Sequence, residues 1–252
     1  MKITPYRLSS TAALVMFIGA LALSAGHHKS DPLSPANLKP HNAVVESVSY
    51  KGKQAIKAEI SEEAREKLAE ARRLREAGGN SGGPAAGESG RVDHLIVVGE
   101  DFHNGTIELK LAGEPAPGAS GGARGFAGVA FRVQEDMATY DCFYLRPTNG
   151  RANDQERRNH SAQYISHPDY PWFRLRQETP SKYEAYVDLQ PATWTAVKIV
   201  VEGETAKLFV HGNDQPTLIV NDLKSGADGK GAVALWFEGS TTAHYSDLKI
   251  TQ

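Results

Sequence analysis

Cysteine is almost missing from this 252-residue chain: Cys142 stands alone, so no intrachain disulfide forms and the fold must hold together by packing. No cysteine-histidine signature surrounds it in YDCFYLR, and it reads as a small strand residue rather than a nucleophile. Long apolar runs are scarce as well. The run from Ala12 to Leu23 is about 12 residues, against the about 20 that a bilayer requires. Lys2 and Arg7 precede it and the small residues Ala22, Ser24, Ala25 and Gly26 end it, which is the pattern of a cleaved export leader over residues 1–25. The mature chain is therefore expected to be secreted or periplasmic, with no stable membrane insertion. Positive charge is not in excess either. The chain has 28 basic and 30 acidic side chains, and loss of Lys2 and Arg7 leaves 26 against 30, a net charge of −4. That balance excludes a protein that wraps nucleic acid phosphates.

After an irregular lead-in at 26–42, strand signals dominate. AVVESVSY and KQAIKAEI flank Lys51-Gly52 as a hairpin. An insertion at 61–90 follows: SEEAREKLAEARRLREA predicts a helix opening at Ser61 with little to bury, then GGNSGGPAAGESG predicts a flexible linker. From Arg91 onward, short strand patterns alternate with Gly, Pro, Asn and Asp. They include RVDHLIVVG, GTIELKLAG, GFAGVAFRV, TYDCFYLR, QYISH, WFRLRQ, KYEAYVDL, WTAVKIVVEG and GAVALWFEG. The expected class is all-β, a two-sheet antiparallel sandwich over 43–252.

The densest polar feature is Arg146 to Arg176, RPTNGRANDQERRNHSAQYISHPDYPWFRLR, with six arginines, two histidines, three asparagines, two glutamines and four aromatics. Such groups cost free energy to order, so the run meets a ligand or is tied into a polar network. Strand alternation sorts the faces around it. Ala127, Val129, Phe131 and Val133 read as core, with Arg132 opposite; Phe143 and Leu145 read as core, with Tyr140, Cys142, Tyr144 and Arg146 opposite. In KYEAYVDL, Tyr183, Ala185, Val187 and Leu189 read as core, which leaves Glu184, Tyr186 and Asp188 on the other face. Flat rings stack on sugar C–H faces, and Arg, Asn and Gln supply directional bonds to hydroxyls and carboxylates. The expected ligand-binding set is Arg132, Tyr144, Arg146, Asn149, Arg151, Gln155, Arg158, His160, Tyr164, Trp172, Glu184 and Tyr186, and the expected ligand is a saccharide or polysaccharide.

The order FHNGTIELKLAG, GFAGVAFRV, FYLRPTNGR, YEAYVDL, WTAVKIVVEG, KLFVHG, PTLIV, GAVALWFEG and YSDLKIT resembles the concanavalin A-like lectin and glucanase superfamily. It looks most like the secreted bacterial domains grouped with laminin-G-like and 3-keto-disaccharide hydrolase domains. The resemblance implies a jelly roll with ligand on its concave sheet and a carbohydrate-related role. It also implies a calcium ion away from that face, for which Glu100, Asp101 and Asp247 are the oxygen donors, although no EF-hand spacing accompanies them. No other cofactor is expected. The paired-carboxylate strand E-x-D-x-x-E of laminarinase-like hydrolases is absent, since GTIELKL offers only Glu108. Glu184 and Asp188 lie roughly 13 Å apart on an extended strand, too far for a retaining pair. Three readings stay open. One is a glycan-recognising domain. A second is a glycoside hydrolase or lyase, including 3-keto-glycoside cleavage, with Glu184 and His160 as catalytic groups, Asp154 or Glu156 as a second acid, and His167 or Tyr164 as other bases. The third is a structural or adhesion domain in which the polar run is an internal clamp.

Overall fold

A computed structural model describes residues 1–2, 33–77 and 91–252. The expected leader lies outside the described residues apart from Met1 and Lys2, and so does the Gly-rich stretch 78–90. Among the described residues no helix is long and apolar enough to cross a membrane.

Two seven-stranded antiparallel sheets make up the domain. The first contains β1 (Lys39–His41), β4 (His94–Phe102), β6 (Ala127–Val133), β7 (Tyr140–Leu145), β8 (Ala162–His167), β9 (Glu184–Ala185) and β13 (Gly231–Phe237), in the order β1-β4-β13-β6-β7-β8-β9. The second contains β2 (Ala43–Tyr50), β3 (Lys53–Ile60), β5 (Gly105–Pro115), β10 (Thr195–Glu202), β11 (Thr205–Val210), β12 (Leu218–Val220) and β14 (Thr241–Thr251), in the order β12-β11-β10-β5-β14-β3-β2. Three helices, α1 (Glu62–Ala77), α2 (Gln155–Asn159) and α3 (Trp172–Glu178), interrupt them. This is the all-β jelly-roll sandwich that the strand spacing predicts.

Several local expectations hold. Lys51 and Gly52 both take positive φ, 44° and 77°, as a two-residue hairpin turn requires, and β2 pairs with β3 across it. The Ser61 hydroxyl accepts from Ala64 N at 3.2 Å to open α1, and Glu63 pairs with Lys67 at 2.8 Å one turn along. Others need correction. The lead-in is not wholly irregular, because Lys39–His41 pairs with β4. WFRLRQ is the helix α3 rather than a strand: Pro171 caps its start, Arg174 bonds Glu178 at 2.7 Å, and Leu175 is its buried residue. Spacing of three and four between Trp172, Leu175 and Arg176 serves a helix as well as the alternation serves a strand. Only Glu184 and Ala185 of KYEAYVDL pair in a sheet, and Ala185 is half-buried against the core rather than within it.

The two sheets differ in how they meet water. In the second, inward Ile107, Leu109 and Leu111 alternate with outward Glu108 and Lys110, and β10 alternates in the same way. In the first, every residue of β6 and β7 is buried, so both of its faces are covered. On the inner face Phe131, Phe143 and Tyr164 pack ring to ring, while Tyr245 of β14 crosses the interior to donate its hydroxyl to the Trp236 carbonyl at 2.6 Å. The outer face carries one row of paired positions, Trp236, Gly128, Tyr144, Gln163 and Glu184, running from β13 to β9.

Gly128 is the hinge of that row. Its neighbours Trp236 and Tyr144 stand two strands apart, about 9.5 Å, yet their rings stack at 4.8 Å because nothing rises between them. A Cβ at Gly128 would meet the Phe143 carbonyl oxygen at 2.1 Å and Tyr144 Cα at 2.6 Å, both backbone. Gly128→Ala is expected to lower stability by about 1–3 kcal/mol or more, the usual cost of overpacking; the urea midpoint should fall and the near-UV signal of the Trp236–Tyr144 pair should change.

Candidate functional site

Arg146 lies at the centre of the outer face, immediately after β7. Its backbone N–H donates to Ser161 O at 2.7 Å, which fixes the start of the polar run against its end. One guanidinium nitrogen donates to His160 O at 2.8 Å and Glu184 Oε1 at 3.2 Å; the other donates to the Tyr144 hydroxyl at 2.8 Å and Gln163 Oε1 at 2.9 Å. Phe126, Tyr144 and Trp172 surround the same group with ring centres 5.3, 5.1 and 5.8 Å away. The side chain keeps only 5% exposure. A buried charge is tolerated when its hydrogen bonds are made and a counter-charge is at hand.

Glu184 is that counter-charge, with 3% of its side chain exposed. Arg176 holds both of its oxygens, through Nε to Oε2 at 3.0 Å and Nη2 to Oε1, and reaches them from α3. Burial pushes the Glu184 carboxyl up. The hydrogen bond and charge of Arg176 outweigh this, with help from Arg146 and His160, and its pKa lies below the usual 4.5. The His160 Nδ1 sits 2.9 Å from Glu184 Oε2 but off the line of a hydrogen bond. Burial lowers the pKa of His160; Glu184 opposes the shift, and Arg176 and Arg146 reinforce it. Burial also raises the Tyr144 hydroxyl to about 12, so it stays protonated.

Trp172 closes the cluster from above. It opens α3, and Arg176, four residues on and so on the same helix face, lies 4.6 Å from its ring centre, while Arg146 lies on the sheet below. The ring is half-buried, and Arg176 keeps 31% exposure beside it. The other expected residues divide into a rim and two corrections. Asn149 is buried and donates to His160 O at 3.2 Å, pinning the run. Arg158 bonds the Tyr186 hydroxyl at 2.8 Å and stacks on its ring at 5.0 Å, making an exposed aromatic-cation pair. Arg151 forks onto Asp188 at 2.6 and 2.8 Å in water, and Gln155 bonds Asn159 within α2.

Arg132 and Tyr164 do not belong to this face. Arg132 has φ 56°, at a register shift between β6 and β13, so the strand bulges and its side chain departs from the alternation. Its guanidinium donates instead to the carbonyls of His103, Gly203 and Gly226 and to Ser225 Oγ. Tyr164 pairs with Phe143, which faces the core, so Tyr164 faces the core too and donates to Asp141 at 2.6 Å. The residue that does reach the outer face from β8 is Gln163. Phe126, Gln163, Arg176 and Trp236 complete the cluster without having been expected there; for Gln163 the pairing of QYISH with YDCFYLR carried the signal.

His167 stands in a neighbouring cluster. Arg91 lies 2.8 Å from its Nδ1 and bonds Asp93, which accepts from the Tyr140 hydroxyl at 2.5 Å; that hydroxyl in turn accepts from Trp236 Nε1 at 3.0 Å. A cleft of about 210 Å³ opens here among Leu68, Arg91, His94, His167 and Trp236. The expected calcium donors are otherwise engaged: Glu100 pairs with Lys39, and Asp247 with Lys53 at 2.8 Å and Lys110 at 3.2 Å. Glu100 and Asp101 belong to β4 of the first sheet and Asp247 to β14 of the second. Among the described residues no three His, Cys, Asp or Glu side chains gather to hold a metal ion.

No family profile matches the chain, and no curated protein matches it in sequence. Solved structures do match in shape. One is the carbohydrate binding module CBM66 from Bacillus subtilis, with TM-score 0.50 and 11% identity over 86% of this chain and 96% of that one. Another is a Bacillus subtilis protein of unknown function with a galectin-like fold, with TM-score 0.51 and 10% identity over 86% and 90%. The fold is the concanavalin A-like jelly roll. At this identity the likeness concerns architecture, and the site rests on its own geometry.

Removing Glu184 leaves Arg146 buried without a counter-charge, so Glu184→Ala should cost about 3–5 kcal/mol in urea unfolding, whereas Arg146→Ala should cost less, because Arg176 still holds both Glu184 oxygens. The double replacement Arg146→Met with Glu184→Leu should cost less than the sum. Acid should act elsewhere as well. Burial lowers His94 to about 4, and burial with the Arg91 charge lowers His167 to about 3, from 6.5. A group whose folded pKa is depressed contributes stability above its unfolded pKa and loses it as pH falls toward the folded value. The melting temperature is therefore expected to drop from pH 6.5 down to about 3, and His167→Gln should flatten that slope.

Proposed function

We propose that the protein is an exported saccharide-binding domain whose ligand lies on the outer face of the first sheet, over Trp172. The observation that carries this reading is the Trp172 ring, half-buried and held in place by Arg146 below and Arg176 on its own helix. An aromatic plane that is already immobile gives a pyranose its stacking surface with little ordering cost on binding. Around it stand groups that form directional bonds with hydroxyls: the exposed part of Arg176, the His160 ring, and the Arg158–Tyr186 pair at the rim. The buried members, Arg146, Glu184, Gln163 and Tyr144, are saturated by one another and act as the floor that positions Trp172. The jelly roll is also the architecture of the carbohydrate binding module whose shape the chain shares, and the leader-like sequence pattern expected at 1–25 supports export.

A second reading, a glycoside hydrolase or lyase at the same place, draws on His160. A neutral imidazole beside an ionised Glu184 is able to take a proton from a bound sugar. Glu184 itself is a poor general acid, because its depressed pKa and bonds to Arg176 keep it ionised.

One experiment separates the two. The mature chain is titrated against a glycan panel while new reducing ends and unsaturated products are monitored. Binding without turnover that falls at least about tenfold in Trp172→Ala, with the far-UV spectrum unchanged, supports the binding domain; a loss of that size is about 1.4 kcal/mol. Products that vanish in His160→Ala would establish the enzyme instead.

A further inference from the structure

Arginines outnumber their partners on one side of Trp172. Arg146 and Arg176 share Glu184, and Arg158 is engaged by Tyr186. Arg124 and Arg157 are not matched in this way. Arg124 donates only to the carbonyls of Gly121 and Ala123, at 2.9 and 3.1 Å, and Arg157 Nη2 reaches Thr148 O and Asn149 Oδ1, both at a long 3.4 Å. Among the described residues no carboxylate forms an ion pair with either guanidinium. The nearest acids on α2 do not fill the role: Asp154 accepts Arg157 N as the helix cap at 3.0 Å, and Glu156 is exposed.

The backbone of Arg124 and the side chain of Arg157 meet at Thr148. The Thr148 N–H donates to Arg124 O at 3.3 Å, and Arg157 bonds the Thr148 carbonyl from the other side. Burial lowers the pKa of Arg124, and the charges of Arg157 and Arg146 lower it further, as neighbouring cations do. Two polar atoms in this corner, Arg157 Nε and Thr148 Oγ1, are buried with no hydrogen-bond partner. Uncompensated like charges together with unmade hydrogen bonds describe a place that lacks an anion.

We propose that the corner formed by Arg124, Thr148 and Arg157 is a subsite for an anionic substituent, a carboxylate or a sulfate, on the saccharide held at Trp172. The proposal rests on the saccharide-binding reading and narrows its ligand to an acidic glycan. A guanidinium fork presents parallel N–H donors to two oxygens of a planar carboxylate or of a sulfate, and the partnerless Thr148 hydroxyl supplies a further donor. Arg146 connects the corner to the stacking ring, since it faces Trp172 and its charge reaches Arg124.

Matched glycans test this on the mature chain: oligogalacturonate against its methyl ester, and dextran sulfate against dextran, by calorimetric titration at about 50 and about 500 mM salt. The charged member of one pair is expected to bind at least about tenfold more tightly, with the gap shrinking at high salt; which pair shows it identifies carboxylate or sulfate. Arg124→Gln and Arg157→Gln should bring the charged-to-uncharged ratio toward one, and Thr148→Val, which removes no charge, should lower it in part should either arginine variant fail to fold. Equal affinities within both pairs would overturn the anionic subsite while leaving saccharide binding in place. A charge preference that survives all three substitutions would overturn its assignment to this corner. Absence of binding to all four glycans would overturn both readings.

Discussion

A single buried guanidinium organises this face of the molecule. Arg146 has no water to turn to, so each of its donors must find a protein oxygen and its charge must find a carboxylate. Six separate parts of the chain answer that requirement: Tyr144 on β7, Gln163 on β8, Glu184 on β9, the His160 carbonyl at the end of α2, and the rings of Phe126 and Trp172. Each brings its own segment to a fixed place, so a loop of more than 15 residues, which would otherwise wander, becomes a surface of defined shape. The same interaction that costs desolvation gives the site its precision. A hydrophobic replacement of the pair can match its stability, but would have no reason to hold Trp172 in place beside two arginines.

The division of labour among the aromatic and charged residues follows from this. Buried members make the floor, half-exposed members make the contact surface, and Arg158 with Tyr186 and Arg151 with Asp188 form an outer ring. Glu184, which by residue type alone looks catalytic, is held by too many cations to release its role as counter-charge. On the proposed reading, recognition falls to Trp172 and the arginines that flank it.

Much of this was legible in the chain before its structure. Alternation in GFAGVAFRV and YDCFYLR places Phe131 and Phe143 inside and Tyr144 with Arg146 outside, and turn residues between short apolar runs announce the sandwich. Two residues were misassigned for definable reasons. Arg132 breaks the two-residue period because the strand bulges beneath it, and a bulge leaves only a faint trace in sequence; Gly231 is that trace, since a Cβ there would meet Val133 O at 2.4 Å. Tyr164 and Gln163 are adjacent, so the choice between them is a choice of register, which pairing decides and composition does not. The helix α3 was hidden because Trp172, Leu175 and Arg176 satisfy helical and extended patterns alike, and Arg176 thereby escaped notice although it holds both Glu184 oxygens.

The lengths of the outermost strands bear on a different matter, the tendency of β proteins to add one chain to the edge of another. Three of the four sheet edges are stubs: β9 has two residues, and β1 and β12 have three each, with Pro40 in β1 and the buried Glu184 on β9. Short, proline-bearing or charge-blocked borders give an incoming strand almost nothing to pair with. The eight-residue β2, with Val44 exposed, is the only long border among the described residues. Any self-association of this protein through its backbone would therefore begin at β2, on the sheet opposite Trp172, and would leave the face that carries Trp172 open.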